Sequence, residues 1–297
     1  MFSYVVGLAA LFLVLYNPVS DWLSGSPSVG LPPLRRTPRP QINEELLALE
    51  EPANQTGLEC PPDAYSVHIY SVAPLVIYIE NFLSAEEREH LLEISDPIFE
   101  PATITHDGGS SAEKDSTVRD SEVAVIPRTG PVRCVEARAR ALQGWREELW
   151  VERLRVQRYA PDGHYSHHYD WSSGRGGWGR VSSFMAWVGD GEGRLEGGGT
   201  EFPMLARRRD GRWCRFVECD DGGGGGGGDD GGQRGEFGDE GEEDGTVFKV
   251  VPGNAVYWEN FIPDGTGRGY PQTWHAGLPV RKGVKVGLNI WSWGRID

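Results

Sequence analysis

From Trp150 to the C-terminus the sequence falls into short alternating segments broken by Gly and Pro: RLRVQRYAP, HYSHHYDW, SSFMAWVG, GTEFP, TVFKVVPGNAVYWEN and VKVGLNIWSW. Their β-branched and aromatic content reads as strands. Many short strands of about eight residues favour an antiparallel barrel or jelly roll. Upstream the pattern is different. The run Pro74 to Leu83, PLVIYIENFL, has the content of a buried strand, and Ser84 with Glu87 forms a capping box that opens the helix SAEEREHLLEIS. A second helix is predicted from Pro131 to about Trp150: proline suits the first turn, and Val132, Val135, Ala139, Leu142 and Leu149 recur at helical spacing. The fold class is therefore mainly β with flanking helices (α+β), the helices packed on one outer face of the strands.

Length and composition divide the chain further. At 297 residues it has room for a large core without a dense disulfide framework, but 41 glycines show that part of it adds nothing to that core. Between Glu218 and Asp244 stand eleven acidic residues against the single Arg234, so this stretch supplies −10 of the formal −15. With almost no apolar residue it cannot offset the entropy of ordering, and we expect a disordered insert over 220–245 joining two strands. Calcium binding is its functional alternative, though EF-hand spacing is absent. The remaining chain is mildly acidic and offers no basic patch for nucleic acid.

The first twenty residues carry no charged side chain, and Tyr4 to Tyr16 form a nearly continuous apolar run ending at Asn17-Pro18. Such a run directs a chain to a membrane. Thirteen residues is short of the roughly twenty of a span, so a signal anchor and a cleaved signal peptide both stay open over 1–20. A Pro-rich linker over 21–62 follows, and the domain occupies 63–297. The expected location is the endoplasmic reticulum membrane with the domain luminal, or secretion after cleavage. Asn54-Gln55-Thr56 is a glycosylation acceptor consistent with that compartment. Cys60, Cys134, Cys214 and Cys219 allow three connectivities, with Cys214 and Cys219 the pair expected to bridge if any does. Free thiols packed as small hydrophobes are the alternative.

His168-Tyr169-Asp170 lies in a strand-like stretch, where residues i and i+2 share a face with Cα atoms about 6.6 Å apart. One metal ion can take both side chains. His275, about a hundred residues on, would complete two histidines and one carboxylate, the facial set of non-haem Fe(II) oxygenases. His167 competes with His168 but points to the opposite face of a strand; His68, His90, His106 and His164 are read as solvated or structural. Lys285 opens the alternation Lys285, Gly287, Asn289, Trp291 against Val286, Leu288, Ile290. One face packs in the core and the other looks into the barrel, where a lysine needs an anionic partner such as a dicarboxylate.

The ordered runs RYAPDGHYSHHYDW, GGGTEFP, PGNAVYWEN and HAGLPVRKGVK resemble the catalytic domain of the prolyl 4-hydroxylase α-subunit family, from about Tyr70 to the C-terminus. The resemblance implies a double-stranded β-helix of the jelly-roll or cupin kind. It implies His168, Asp170 and His275 as iron ligands, and Lys285 as partner of the distal carboxylate of 2-oxoglutarate. Tyr159 and Thr200 would help hold that cosubstrate, and Tyr165 and Trp291 would lie near a proline-containing peptide. Fe(II), 2-oxoglutarate and O2 would convert peptidyl proline to hydroxyproline with release of succinate and CO2, and L-ascorbate would restore oxidised enzyme. Two departures bear on substrate choice. His167 stands where the family usually has Pro, and Gly199 stands within GGGT where it usually reads GGET. Rival readings are a same-class oxygenase acting on lysine or a small molecule, a non-catalytic luminal binding protein, and a zinc hydrolase in which Lys285 would have no task.

Overall fold

The computed structural model describes residues 38–39, 44–48, 57–105, 112–171, 175–190, 194–208, 210–219 and 245–296. The N-terminal apolar run, the acceptor Asn54, His106 and nearly all of the acidic insert lie outside them. Among the described residues no helix is long and apolar enough to cross a membrane.

Two antiparallel sheets face each other. The larger holds, in spatial order, Ser66–Val72, Leu75–Glu80, Ala255–Glu259, Trp178–Gly189, Lys285–Arg295, Arg155–Tyr159, Glu122–Val125 and Glu100–Pro101, with Leu149–Val151 paired to Lys285–Arg295. The smaller runs Thr246–Phe248, Thr200–Phe202, His275–Gly277, His164–His168 and Arg119–Asp120. In chain order the strands starting at 155, 178, 255 and 285 belong to the larger sheet and those at 164, 200, 246 and 275 to the smaller. The chain thus winds back and forth between the sheets in the expected double-stranded β-helix.

Alternation fixes what each face of the larger sheet does. On its outer face Phe184, Ala186, Val188, Tyr257, Leu288 and Ile290 form one core with Leu91 of α1 (Ala85–Ser95) and Val132, Val135 and Ala139 of α2 (Gly130–Leu142). On the inner face Trp187, Val256 and Trp258 meet Phe202 and Phe248 of the smaller sheet. This aromatic plug fills one end of the barrel and leaves the other for polar groups. Helix α1 starts as the sequence predicts, with the Ser84 side chain accepting from the Glu87 amide and the Glu87 carboxylate accepting from the Ser84 amide.

Helix α2 is shorter than its periodicity predicts. It stops at Leu142 because Gly144 and then Trp145 take left-handed backbone (φ 74° and 54°), which ends a helix most readily at glycine. Leu149, expected on the helical stripe, instead lies in a strand and packs with Val181, Phe261 and Ile296. Both cysteine pairs are bridged, Cys60–Cys134 and Cys214–Cys219, so the shortest spacing is one of two disulfides.

Candidate active site

His168 ends one strand of the smaller sheet and lies directly across from His275 in the next. Asp170 sits just beyond the strand end, and its carboxylate still lies on the His168 side although it is already in the turn. Cross-strand pairing and a two-residue step thus bring together side chains a hundred residues apart. His168 Nε2 is 3.7 Å from Asp170 Oδ1, His275 Nε2 is 3.9 Å from Asp170 Oδ2, and one ligand atom from each of the three lies within 4.8 Å of the others.

The imidazoles are held for ligation. His168 Nδ1–H donates to the Ser166 carbonyl and His275 Nδ1–H to the Thr273 carbonyl, each at 2.8 Å. A carbonyl only accepts, so Nδ1 carries the proton and Nε2 keeps the lone pair a metal needs. Burial, together with the neighbouring His168, pushes the His275 imidazole down to about 4, so it is neutral at physiological pH. Burial alone would raise the Asp170 carboxyl, but His275, His168 and Arg180 outweigh it and hold the group below the usual carboxylate range. Two imidazole nitrogens and one carboxylate converging on one point suit a divalent transition metal.

Arg180 is a residue the sequence did not reveal. Its guanidinium grips Glu152 through Nε and Nη2 (2.8 and 3.0 Å), while Nη1–H donates to the Asp170 carbonyl at 3.0 Å. It ties the turn that carries the ligand to the larger sheet.

Opposite the triad, the face predicted to look into the barrel does so. Lys285 is 2% exposed and pairs across the sheet with Tyr159. Its Nζ donates to the Gly198 carbonyl at 2.6 Å and stands 5.3 Å from the Tyr159 ring centre. It makes no ion pair with any described residue, and burial pushes the ammonium down to about 8. Nearby the Thr200 hydroxyl is buried without a hydrogen-bond partner. A buried cation and an orphaned hydroxyl facing a donor triad match an anion with two ends. Tyr159 donates its own hydroxyl to Gln157 Oε1 at 2.6 Å.

One cavity is lined by His168, Asp170, His275, Lys285, Tyr159 and Thr200, and Tyr165 also lines it. Tyr165 stacks on the His168 ring at 3.7 Å between centres. Trp291 does not line this cavity; it lies further along the Lys285 strand beneath the guanidinium groups of Arg155 and Arg180. His167 points away, its Nε2 meeting Glu201 Oε2 at 2.8 Å on an exposed edge. Of the other histidines, His68 pairs with Glu80, His90 with Thr129, and His164 with backbone carbonyls. A Cβ at Gly199 would come within 2.7 Å of Val247 Cγ1, so a larger residue there would require the Val247 side chain to shift. Gln157, Met185, Trp258 and Asn289 also line the cavity. Gln157 and Asn289 were within reach of the sequence, because they share strand faces with Tyr159 and Lys285.

A double-stranded β-helix that brings two histidines, one carboxylate and a buried lysine to one cavity has the donor set that chemistry with Fe(II) and 2-oxoglutarate would need. The sequence of the chain resembles prolyl 4-hydroxylases in particular. "Probable prolyl 4-hydroxylase 10" of Arabidopsis thaliana is 27% identical over 234 residues, covering 76% of this chain and 71% of that protein. "Prolyl 4-hydroxylase 13" of the same plant is 24% identical over 303 residues, 98% of this chain and 94% of the relative. Among solved structures, the viral collagen prolyl hydroxylase of Paramecium bursaria Chlorella virus-1, in its 2OG complex, superposes with a TM-score of 0.48 at 20% identity, covering 74% of this chain and 96% of that one. No family model matches the chain.

Proposed function

We propose that this chain is a prolyl 4-hydroxylase acting on proline-containing peptides or proteins, with Fe(II), 2-oxoglutarate and O2 as reactants and ascorbate as the reductant that restores it. The observation that carries the reading is the buried Lys285 ammonium, without a carboxylate partner among the described residues, facing His168, Asp170 and His275 across one cavity. The zinc-hydrolase alternative leaves that cation without a role.

His168 and His275 would hold iron through Nε2, and Asp170 would supply the only anionic protein ligand. Bound iron with its cosubstrate supplies the oxidising power to hydroxylate an unactivated C–H bond. The protein's own residues position the reactants. Lys285 would neutralise the distal carboxylate of 2-oxoglutarate, Thr200 could donate its orphaned hydroxyl to the same group, and the Tyr159 ring, beside the Lys285 ammonium, would form a wall there. Phe202 and Trp258 pack against the His275 ring and exclude water behind it. Tyr165, stacked on His168 and lining the cavity, would border the peptide.

For the compartment, we take the N-terminal apolar run as the membrane attachment, with the catalytic domain in the lumen of the endoplasmic reticulum. Two bridged cysteine pairs support an oxidising compartment. Protection of the domain from protease in intact microsomes, with an endoglycosidase-sensitive mass at Asn54, is the expected result. Activity is tested by succinate release in Fe(II) and ascorbate, with and without proline peptides. Stimulation by proline peptides and formation of hydroxyproline are expected. Stimulation only by lysine peptides or small molecules would move the substrate assignment, and 2-oxoglutarate binding without any succinate would indicate a binding protein.

A further inference from the structure

Beside the cavity, next to residues that line it, stand three arginines that the mechanism above only partly uses. Arg155 shares a strand face with Gln157 and Tyr159, and its Cα partner across the sheet is Asn289; all three of these neighbours line the cavity. Its guanidinium lies over the Trp291 ring, 5.2 Å from the centre, and its Nε is buried without a hydrogen-bond partner. Arg119, 9% exposed, lies over the Tyr165 ring at 4.6 Å. It donates through Nε to Ser121 Oγ at 3.0 Å, and its Nη2 is buried with no partner. Arg180 lies over Trp291 at 4.0 Å, but its charge is already met by Glu152.

The charges in this wall do not balance. Three guanidinium groups act on one another here and Glu152 is the carboxylate paired into them, while Asp170 is committed to the metal triad. Burial depresses the Arg155 guanidinium first of all; Glu152 opposes that, and Arg180 and Arg119 add to it. Two partly desolvated guanidinium groups with no ion pair to a carboxylate among the described residues are expensive to keep in a fold unless something pairs with them. The arrangement stands out in a chain of net charge −15, whose overall field would keep anions away. These two guanidinium groups, Arg119 and Arg155, sit over the rings of Tyr165 and Trp291, the two aromatic residues expected beside the substrate.

We infer that this wall is an anion subsite for the substrate: the peptide carries a carboxylate next to the proline that reacts, with Arg155 as its main contact and Arg119 as the second. The inference rests on the proposed prolyl hydroxylase reading and sharpens it from any proline peptide to an acidic one. A planar fork with free N–H groups matches a carboxylate in two-point fashion. The carboxylate has two sources, an Asp or Glu side chain beside the proline or a free C-terminus, and the subsite chemistry is the same for both.

The test uses the full chain with Fe(II), 2-oxoglutarate and ascorbate and three matched peptide pairs: Asp against Asn before the proline, Asp against Asn after it, and C-terminal acid against amide. Peptide binding is followed by tryptophan fluorescence and turnover by succinate release. At least one acid is expected to show a KM about tenfold or more below its neutral partner, with the advantage shrinking as salt rises; the pair that responds identifies the source. Arg155→Gln should bring the acid-to-neutral KM ratio to within about threefold, Arg155→Lys should keep part of it, and Arg155→Glu should invert it. Iron content reports that each variant is folded. Equal KM for acid and neutral peptides in the parent overturns the anion subsite and leaves the hydroxylase reading standing, as does a preference that survives Arg155→Gln. A loss in Arg155→Gln that falls on 2-oxoglutarate affinity instead of the peptide ratio also overturns it. Acidic peptides that bind with the Arg155-dependent preference but never stimulate succinate release would count against the hydroxylase reading and not against the subsite.

Discussion

On the strand Lys285–Arg295 two faces of one backbone have opposite duties. Val286, Leu288 and Ile290 pack outward under α1 and α2 with Phe184, Ala186 and Val188 of the neighbouring strand. Lys285, Asn289 and Trp291 turn inward, toward the cavity and its arginine wall. The outer face is dry and uniform, each buried side chain contributing about 1.5–3 kcal/mol through area removed from water. The inner face holds a buried cation and a polar amide, which cost stability until a ligand completes them. Substitutions on the two faces should therefore separate: outside they change stability, inside they change binding and turnover.

The largest effect is expected at the metal. Asp170→Ala removes the only anion from the donor set, so stoichiometric iron should be lost on purification and peptide-dependent succinate release abolished, while circular dichroism stays that of the parent. Full activity in this variant would remove the triad from the chemistry. The companion change His167→Ala should retain iron, because that imidazole faces Glu201 rather than the triad.

Lys285→Ala should leave iron in place and cost about 2–5 kcal/mol of 2-oxoglutarate binding, roughly 30- to 5,000-fold, by leaving a buried carboxylate unpaired. Burial has pushed the ammonium down to about 8, so above that pH the ligand-free protein loses the proton that the bound dicarboxylate needs. Binding then takes up a proton, and the apparent affinity should fall as pH rises past 8, by up to about tenfold per unit. Lys285→Arg should keep affinity further into the alkaline range. An affinity flat from pH 7 to 10 in the parent would sink the ammonium–carboxylate pairing.

The outer face supplies the contrast. Leu288 is fully buried among the helix-packing residues, and Leu288→Ala should cost about 2–5 kcal/mol of stability, read as a lower melting temperature. Below that melting temperature the KM for 2-oxoglutarate should match the parent. A KM that rises with the stability loss would mean that the two faces are coupled through the sheet.

Much of this division was legible in the sequence, because alternation with a period of two is a local signal that survives folding. It marked Lys285 against Val286, and His168 with Asp170 against His167, before any contact was known. The capping box at Ser84 and Glu87 was legible for the same reason, since a helix start is written within four residues. What escaped was short or distant. The strand Glu122–Val125 is too brief to show a period, and the end of α2 depended on the left-handed turn at Gly144 overriding an apolar spacing that continued to Leu149. Arg180 reaches Glu152 and Asp170 only through sheet pairing, so nothing near it in sequence names its partners. The Cys60–Cys134 bridge joins residues 74 apart and had no local mark.

The smallest effect is expected from the acidic insert, which tests whether the barrel needs what lies between its strands. Val217 bridges Phe248 in antiparallel register, and the Glu218 amide donates to the Val247 carbonyl at 2.9 Å. Counting outward along both segments sets Cys219 opposite Thr246. Deleting Asp221 to Asp244 therefore joins Asp220 to Gly245, an Asp-Gly pair of the kind that closes a two-residue hairpin. Each halving of a flexible loop changes its closure entropy by only about 0.6 kcal/mol, so the deletion should raise stability by no more than about 2 kcal/mol. Iron content and the KM for 2-oxoglutarate should stay within about twofold of the parent, because the triad and Lys285 sit on strands that the excision leaves intact. A melting temperature several degrees lower would show that the insert packs on the domain, and a raised peptide KM with unchanged stability would place it at the substrate instead.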